Sequence, residues 1–164
     1  MTKRVIIWDL DGTLACGKHR LHLLPTSDYN ITSSWDAFNL ACEQDYPIQD
    51  NIDLLRSQFA AGFYIVILTG RSDVAHQLTR EWLHKHKVPY NRLIMRGYDD
   101  NNTDVTFKEA RLRAIGTQNI LCAFDDLEHV AKHIRGMGIT CHQVTHYDKD
   151  LRSAAHKSRE ELDE

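Results

Sequence analysis

A chain of 164 residues, 42% apolar and 26% charged, has the length and mix of a single soluble domain that buries its own core. Its net charge of −3 and isoelectric point near 6.3 exclude the global basic field of a tight non-specific DNA binder, though not a locally basic cleft. No apolar run approaches the ~18 residues that span a bilayer, and the apolar part of residues 1–9 is too short for a signal peptide. Cys16, Cys42, Cys122 and Cys141 show no close metal spacing. These features predict a cytoplasmic protein with reduced thiols and no membrane contact, Cys122 being a buried one.

In chain order, Val5-Ile6-Ile7-Trp8 reads as a short buried strand. It runs directly into Asp9-Leu10-Asp11-Gly12-Thr13. Residues 15–47 break the regular pattern with Pro25, patches rich in His and Trp, and a short helix around 35–42. Because the segment begins just after the two acids, it is expected to fold over them as a small cap. Ile48, Ile52, Leu55 and Phe59 recur at helical spacing, and Gly62 ends that helix. A second strand over 64–68 ends in Thr69-Gly70. Ser72 or Asp73 caps a helix to about residue 87, which Pro89 stops. A third strand spans 93–95, a helix spans 106–115, and a fourth strand covers 120–124. Leu127, Val130, Ala131 and Ile134 mark a last helix face closed by Gly136, and 139–144 is a final strand.

Strands alternating with helices imply a parallel sheet with right-handed crossovers. The lack of polar alternation implies that both faces are covered. The expected fold is thus α/β, a three-layer sandwich with a small cap inserted after the first strand. Residues 1–147 form the core with its cap at about 15–47, and 148–164 a charged tail or surface helix.

In such a sheet, ligands bind beyond the carboxyl ends of the strands. Those ends carry Asp9 and Asp11, then Thr69, Gly70 and Arg71, then Arg96 with Asp104 and Lys108 beyond it, then Asp125 and Asp126. Buried carboxylates persist where something compensates them, most often a cation or a reacting ligand. The strand period of two lets Asp9 and Asp11 face one cleft. Phosphoryl transfer suits this set. Asp9 attacks phosphorus. Mg²⁺ is held by Asp9, by Asp125 or Asp126, and by the backbone carbonyl of Asp11. Thr69 and Lys108 meet the non-bridging oxygens, and Asp11 moves the proton. Arg71 suits bidentate contact with phosphate. Asp104 either caps the 106–115 helix or pairs with Lys108 at i,i+4. Asp99-Asp100 reads as a solvated loop.

The order and spacing of these motifs resemble the haloacid-dehalogenase-like (HAD) phosphohydrolases. They are most similar to the 3′-phosphatase domains of bacteriophage polynucleotide kinase-phosphatases. Arg20 stands eleven residues after Asp9, as in that family. Thr69-Gly70-Arg71 stands where the family has Ser-Gly-Arg, and Asp104 lies four before Lys108. Gly138-Ile139-Thr140-Cys141-His142-Gln143-Val144 matches Gly-Val-Glu-Cys-Trp-Gln-Val. The resemblance runs from about 3 to 145. It implies the HAD Rossmannoid fold, with Arg20, Gly70 and Arg71 at the substrate phosphate and Asp104 orienting Lys108. It further implies Mg²⁺ as cofactor and removal of 3′-phosphates from nucleic-acid ends, in the host cytoplasm if the chain is phage-encoded.

Two departures bear on substrate. Gly12 to His19 spells a P-loop except that His19 replaces the Ser or Thr that would bind Mg²⁺, so no kinase motif is present. The stretch from Arg20 to the second strand is longer than in the phage domains. A nucleotide phosphatase such as a 5′(3′)-deoxyribonucleotidase is therefore the alternative, and an inert HAD-fold binding protein a third reading. The partner is a phosphorylated nucleic-acid end or a nucleotide, with the oligomeric state open. Neither His129 with His133 nor His19 with His22 brings a clear third metal ligand, and most of the histidines read as surface residues, with His19 and His22 set apart by lying near the cap. Trp35, Phe38 and Tyr46 offer rings to a base, although packing the cap is their commoner use.

Overall fold

The computed structural model describes residues 2–144, and the tail expected over 148–164 lies outside them. Five parallel strands form the central sheet: β1 (Val5–Trp8), β4 (Tyr64–Ser72), β5 (Arg92–Arg96), β6 (Ile120–Asp125) and β7 (Cys141–Gln143). Their order is β5-β4-β1-β6-β7, and every pairing is parallel. Four helices cover the sheet: α2 (Gln49–Ala60), α3 (His76–Lys85), α4 (Asp104–Ile115) and α5 (Glu128–Gly136).

The two-residue period of the strands divides the core. Ile6, Trp8, Ile65 and Ile67 pack with Ile52 and Leu55 of α2 and with Trp82 and Leu83 of α3. Ile7, Val66, Leu68 and Ala123 face the other way, onto Phe107 and Leu112 of α4 and Val130, Ala131 and Ile134 of α5. Burial on both faces is why these strands are apolar throughout. The result is the α/β three-layer arrangement. No helix of the described residues is long and apolar enough to cross a membrane, and all four cysteines are free thiols.

Strand order also sets the chemistry. β1 sits in the middle with β4 and β6 on either side. Trp8 is in register with both Ile67 and Phe124. The three chain segments that carry Asp9, Thr69 and Asp125 therefore end side by side at one edge.

Residues between β1 and α2 form an insertion pinned at its base. β2 (Ala15–Cys16) pairs antiparallel with β3 (Tyr46–Pro47). Between them lie 3-10 turns at Lys18–Leu23, Thr32–Trp35 and Ala41–Gln44, and the short helix α1 (Asp36–Leu40). The far side of the insertion is tied to the loop after β5. The Thr32 backbone N–H donates to Asn101 Oδ1 at 2.8 Å, and the Thr32 hydroxyl donates to the Asp100 carbonyl. The loop expected to be solvated at Asp99-Asp100 is instead partly covered at Asp100. Its carboxylate is also turned inward on the loop, accepting from the Asn102 N–H at 3.0 Å. A second correction concerns α4. Its N-cap is Thr103, whose hydroxyl accepts from the Thr106 N–H at 3.2 Å. Asp104 is the first helical residue, which leaves its carboxylate for a tertiary partner.

Trp8 anchors the first face. It is fully buried, stacks on Phe124 with ring centroids 3.9 Å apart, and donates from Nε1 to Gln58 Oε1 at 2.9 Å. Trp8→Ala is expected to cost about 3–5 kcal/mol through the cavity and the lost aromatic pair. Urea unfolding that shifts by under ~1 kcal/mol would contradict this placement of the ring.

Candidate active site

The acids at the strand ends converge on one ammonium. Lys108, in the second turn of α4, is buried and donates from Nζ to Asp9 Oδ1 at 2.9 Å and to Asp125 Oδ2 at 2.6 Å. Asp9 Oδ2 accepts from the Thr13 hydroxyl at 3.1 Å, and the Asp9 backbone N–H donates to Phe124 at 3.0 Å. Asp125 Oδ1 accepts from the Leu127 N–H at 3.0 Å. Asp126 completes the group, with carboxylate oxygens of Asp9, Asp125 and Asp126 all within 4.8 Å of one another.

Gly12 is forced by this crowding. Its φ is +80°, and a Cβ there would lie 2.3 Å from Asp126 Oδ2. The left-handed turn and the close approach of an acid both require that no side chain be present. Gly70 is constrained by crowding alone, since a Cβ would lie 2.6 Å from Asp104 Oδ1.

Electrostatics follow from burial. Desolvation raises Asp9 well above the usual carboxylate range; Lys108 opposes this, and Asp125 and Asp126 add to it. Asp125 is raised by the same causes, burial first. Burial alone would lower Lys108, but Asp125 and Asp9 outweigh it and hold the amine charged, with a smaller contribution from Asp104. An oxygen-only donor set of three buried acids with one ammonium suits a hard divalent cation.

Asp11 lies beside this cluster in a different environment. Its Oδ1 accepts from Arg20 Nη2 at 2.7 Å and from Arg71 Nη2 at 2.6 Å, and its Oδ2 accepts from Arg71 Nε at 3.2 Å. Burial pushes the Asp11 carboxyl upward, but the guanidiniums of Arg71 and Arg20 prevail and hold it well below the usual range.

Sequence reasoning missed the residue that holds both arginines. Asp45, buried at the end of the insertion, accepts from Arg20 Nε at 2.7 Å on Oδ1. Its Oδ2 accepts from Arg20 Nη2 at 2.8 Å and from Arg71 Nη2 at 3.1 Å. His19 Nε2 stands 2.9 Å from Asp45 Oδ1. The Trp82 indole donates to the Asp45 carbonyl at 2.9 Å. Arg20 also lies over the Phe38 ring at 4.1 Å, and Arg71 donates to the Thr79 hydroxyl at 3.0 Å. Asp45 is 25 residues from Arg20 and belongs to no motif, so no spacing in the chain announces it.

Arg96, noted in the sequence only as a strand-end base, braces the second loop. It donates from Nε to the Gly70 carbonyl at 3.0 Å and from Nη2 to Asp104 Oδ1 at 2.5 Å, above the Phe107 ring. Asp104 thus has Arg96 as an ion-pair partner, while Lys108 bonds Asp9 and Asp125. The Thr69 hydroxyl oxygen accepts from the Arg71 N–H at 3.0 Å. The remaining sequence candidates lie elsewhere. His133 Nε2 contacts Glu109 at 2.6 Å on the α4–α5 surface. Trp35 is buried and donates to the Tyr29 carbonyl at 2.9 Å.

Comparison with known proteins identifies the class. Residues 3–148 match the model of the polynucleotide kinase PNKP phosphatase domain. The chain belongs to that family, within the HAD phosphohydrolases, and is a phosphatase. No curated protein sequence matches it. Among solved structures, a chain of the Pnkp1/Rnl/Hen1 complex is 23% identical with a TM-score of 0.67, covering 89% of this chain and 47% of its own length. The chain therefore spans less than half of that relative. A predicted phosphatase from Clostridium acetobutylicum is 13% identical over the whole of both chains, with a TM-score of 0.68. A haloacid dehalogenase-like hydrolase from Streptococcus pneumoniae is 16% identical, covering 98% of this chain and 97% of its own, with a TM-score of 0.63. These likenesses carry the fold.

The Asp11 clamp has a pH signature. A carboxyl with a depressed folded pKa adds stability that is fully present above its unfolded value of about 3.9 and is lost as pH falls toward the folded pKa. The stability advantage of the wild type over Asp11→Asn should be largest near pH 6 and shrink as pH falls from 4 toward 2. Denaturation of both proteins across that range tests it, and a constant difference would mean that the arginines do not hold Asp11.

Proposed function

We propose that this phosphatase removes 3′-phosphates from nucleic-acid ends by a Mg²⁺-dependent aspartyl-phosphate route. The observation that carries the mechanism is the Lys108 ammonium fixed between Asp9 and Asp125, beside Asp126 and the arginine-clamped Asp11. Family membership and the Arg20, Arg71 and Asp104 motif residues support the substrate.

Asp9, Asp125 and Asp126 would hold the cation, joined by the Asp11 backbone carbonyl, and its charge lets a carboxylate approach a phosphate dianion. An Asp9 carboxylate oxygen attacks phosphorus, and the bond from phosphorus to the sugar oxygen breaks. Lys108 has a third N–H for a non-bridging oxygen, where the transition state spreads charge. Thr69 accepts from the Arg71 N–H and keeps its own hydroxyl hydrogen for another oxygen. Asp11 gives the leaving sugar oxygen its proton, then takes a proton from the water that attacks the aspartyl-phosphate. Inorganic phosphate leaves and Asp9 is restored.

Arg20 and Arg71 give this cycle its order. While both guanidiniums rest on Asp11 they keep it ionised, the wrong form for an acid. A phosphate dianion that draws them off Asp11 raises its pKa, so the proton donor forms when the substrate is present. The insertion over 15–47 acts as the cap that admits the end. Its tie from Thr32 to the 100–101 loop favours a second reading, a cap closed over one nucleotide.

Phosphate release should be compared on a 3′-phosphorylated oligonucleotide, its 5′-phosphorylated twin, and 3′- and 5′-mononucleotides. Preference for the first supports the proposal, and preference for mononucleotides selects the second reading. Asp9→Asn should abolish turnover while leaving the fold intact, because the nucleophile is lost. Lys108→Ala should lower kcat by about 10²–10³-fold, the loss seen when one preorganised transition-state donor is removed. Under tenfold would place Lys108 outside the reaction. EDTA should stop turnover and Mg²⁺ restore it, and full activity in chelator would remove the metal from the mechanism.

A further inference from the structure

The insertion carries four large aromatic rings, and the structure gives them different duties. The Tyr29 hydroxyl donates to the Thr26 carbonyl at 3.2 Å. Trp35 is 4% exposed and sets its edge against Phe38. Phe38 lies beneath the Arg20 guanidinium. Tyr46 is 66% exposed and its ring meets His19 edge-on, 6.4 Å between centroids at 85°. An isolated exposed tyrosine needs no explanation, but the surroundings of this one are specific. It follows Asp45 directly in the chain and belongs to the β2–β3 pair that pins the insertion. Its edge partner His19 contacts Asp45 Oδ1, and Asp45 holds Arg20, which bonds Asp11. The His19 ring is thus three hydrogen-bonded contacts from the Asp11 carboxylate. Tyr46 is the most exposed of the large apolar side chains among the described residues; the others include Ile31 and Leu40 on the insertion, Tyr98 on the loop after β5, Tyr64 at the start of β4 and Leu121 near the start of β6. Leu54 and Phe59 are on α2.

We propose that Tyr46, steadied by His19, is a stacking platform for the terminal base of the 3′-phosphorylated strand. This rests on the reading of a nucleic-acid end as substrate. Successive side chains on an extended segment point to opposite sides. Asp45 turns to the arginines and Tyr46 to the rim, and His19 touches both. The terminal base is joined to its 3′-phosphate through a single sugar, so a phosphate at the arginines would leave that base on the side toward Tyr46. Every base has a π-face, so stacking of this kind grips an end without reading its sequence. Base–aromatic stacking is worth roughly 1–3 kcal/mol per base, which predicts a KM effect of about tenfold or more. The backbone of Tyr46, not its ring, makes the strand pairing, so substitution leaves the insertion in place.

The test measures kcat and KM of the full chain with Mg²⁺ on 3′-phosphorylated oligonucleotides ending in a normal or an abasic nucleotide, with glycerol 2-phosphate as a base-free ester. Wild type should bind the base-bearing end better. Tyr46→Ala and Tyr46→Leu should raise its KM about tenfold, with kcat within about twofold and the abasic end little changed. Tyr46→Phe and Tyr46→Trp should keep the wild-type KM, because they keep the ring. An unchanged KM in Tyr46→Ala, an equal rise on the abasic end, or rescue by Leu as good as by Phe would each overturn the platform. Wild-type turnover of the glycerol ester with none of either 3′-phosphorylated end would instead overturn the substrate reading, and the platform with it.

Discussion

Everything at the carboxyl edge of this sheet depends on one ammonium placed among three buried acids. Asp9, Asp125 and Asp126 lie within 4.8 Å of one another, an arrangement whose self-repulsion and desolvation oppose folding unless positive charge is supplied. Lys108 supplies part of it, and it can do so only because α4 packs Phe107 and Leu112 into the second core cluster. The apolar packing of the helix and the position of its charge are therefore one constraint. The three carboxylates together form the kind of oxygen donor set that a hard divalent cation suits.

A second ionic system, made almost wholly from long-range contacts, sits beside the first. Arg20 and Arg71 lie between Asp11 and Asp45, so two cations face two anions in a buried setting where removing one member leaves uncompensated charge. Asp45 makes the insertion part of the site. Its carboxylate fixes the arginines, its carbonyl accepts from Trp82 of the sheet-covering helix α3, and the next residues pin the base of the insertion. Arg96 plays the corresponding part for the Thr69-Gly70-Arg71 loop, bonding the Gly70 carbonyl and Asp104 together. Neighbouring carboxylates thus experience opposite fields. Asp9 is raised by burial and like charge, and Asp11 is depressed by guanidiniums.

The elements of the sheet were legible from residues 5–8, 64–68 and 120–124, because unbroken apolar runs between helical patterns have few other uses in a soluble domain. Gly12 was legible as a turn, while the reason no other residue fits, the approach of Asp126, comes from a strand more than a hundred positions away in the sequence. Asp104 shows the limit from the other side. Its spacing to Lys108 suggested a local cap or an i,i+4 pair; Thr103 caps the helix, and the carboxylate bonds Arg96 while still adding to the field that holds Lys108 charged. Local rules predicted a local partner, and a strand end brought a stronger one.

By itself the sequence determined the period and composition of the strands, the order of the helices, and which strand ends would carry acids, a hydroxyl and bases. Those are properties of short windows, where side-chain alternation and turn chemistry act over a few residues. Only the tertiary structure decided that Lys108 stands between Asp9 and Asp125, that Asp45 holds both arginines, and that Tyr46 rather than Trp35 or Phe38 is left facing solvent. Each depends on which segments the sheet order and the insertion bring together, and long-range pairing of charges and rings leaves no period in the chain to be read.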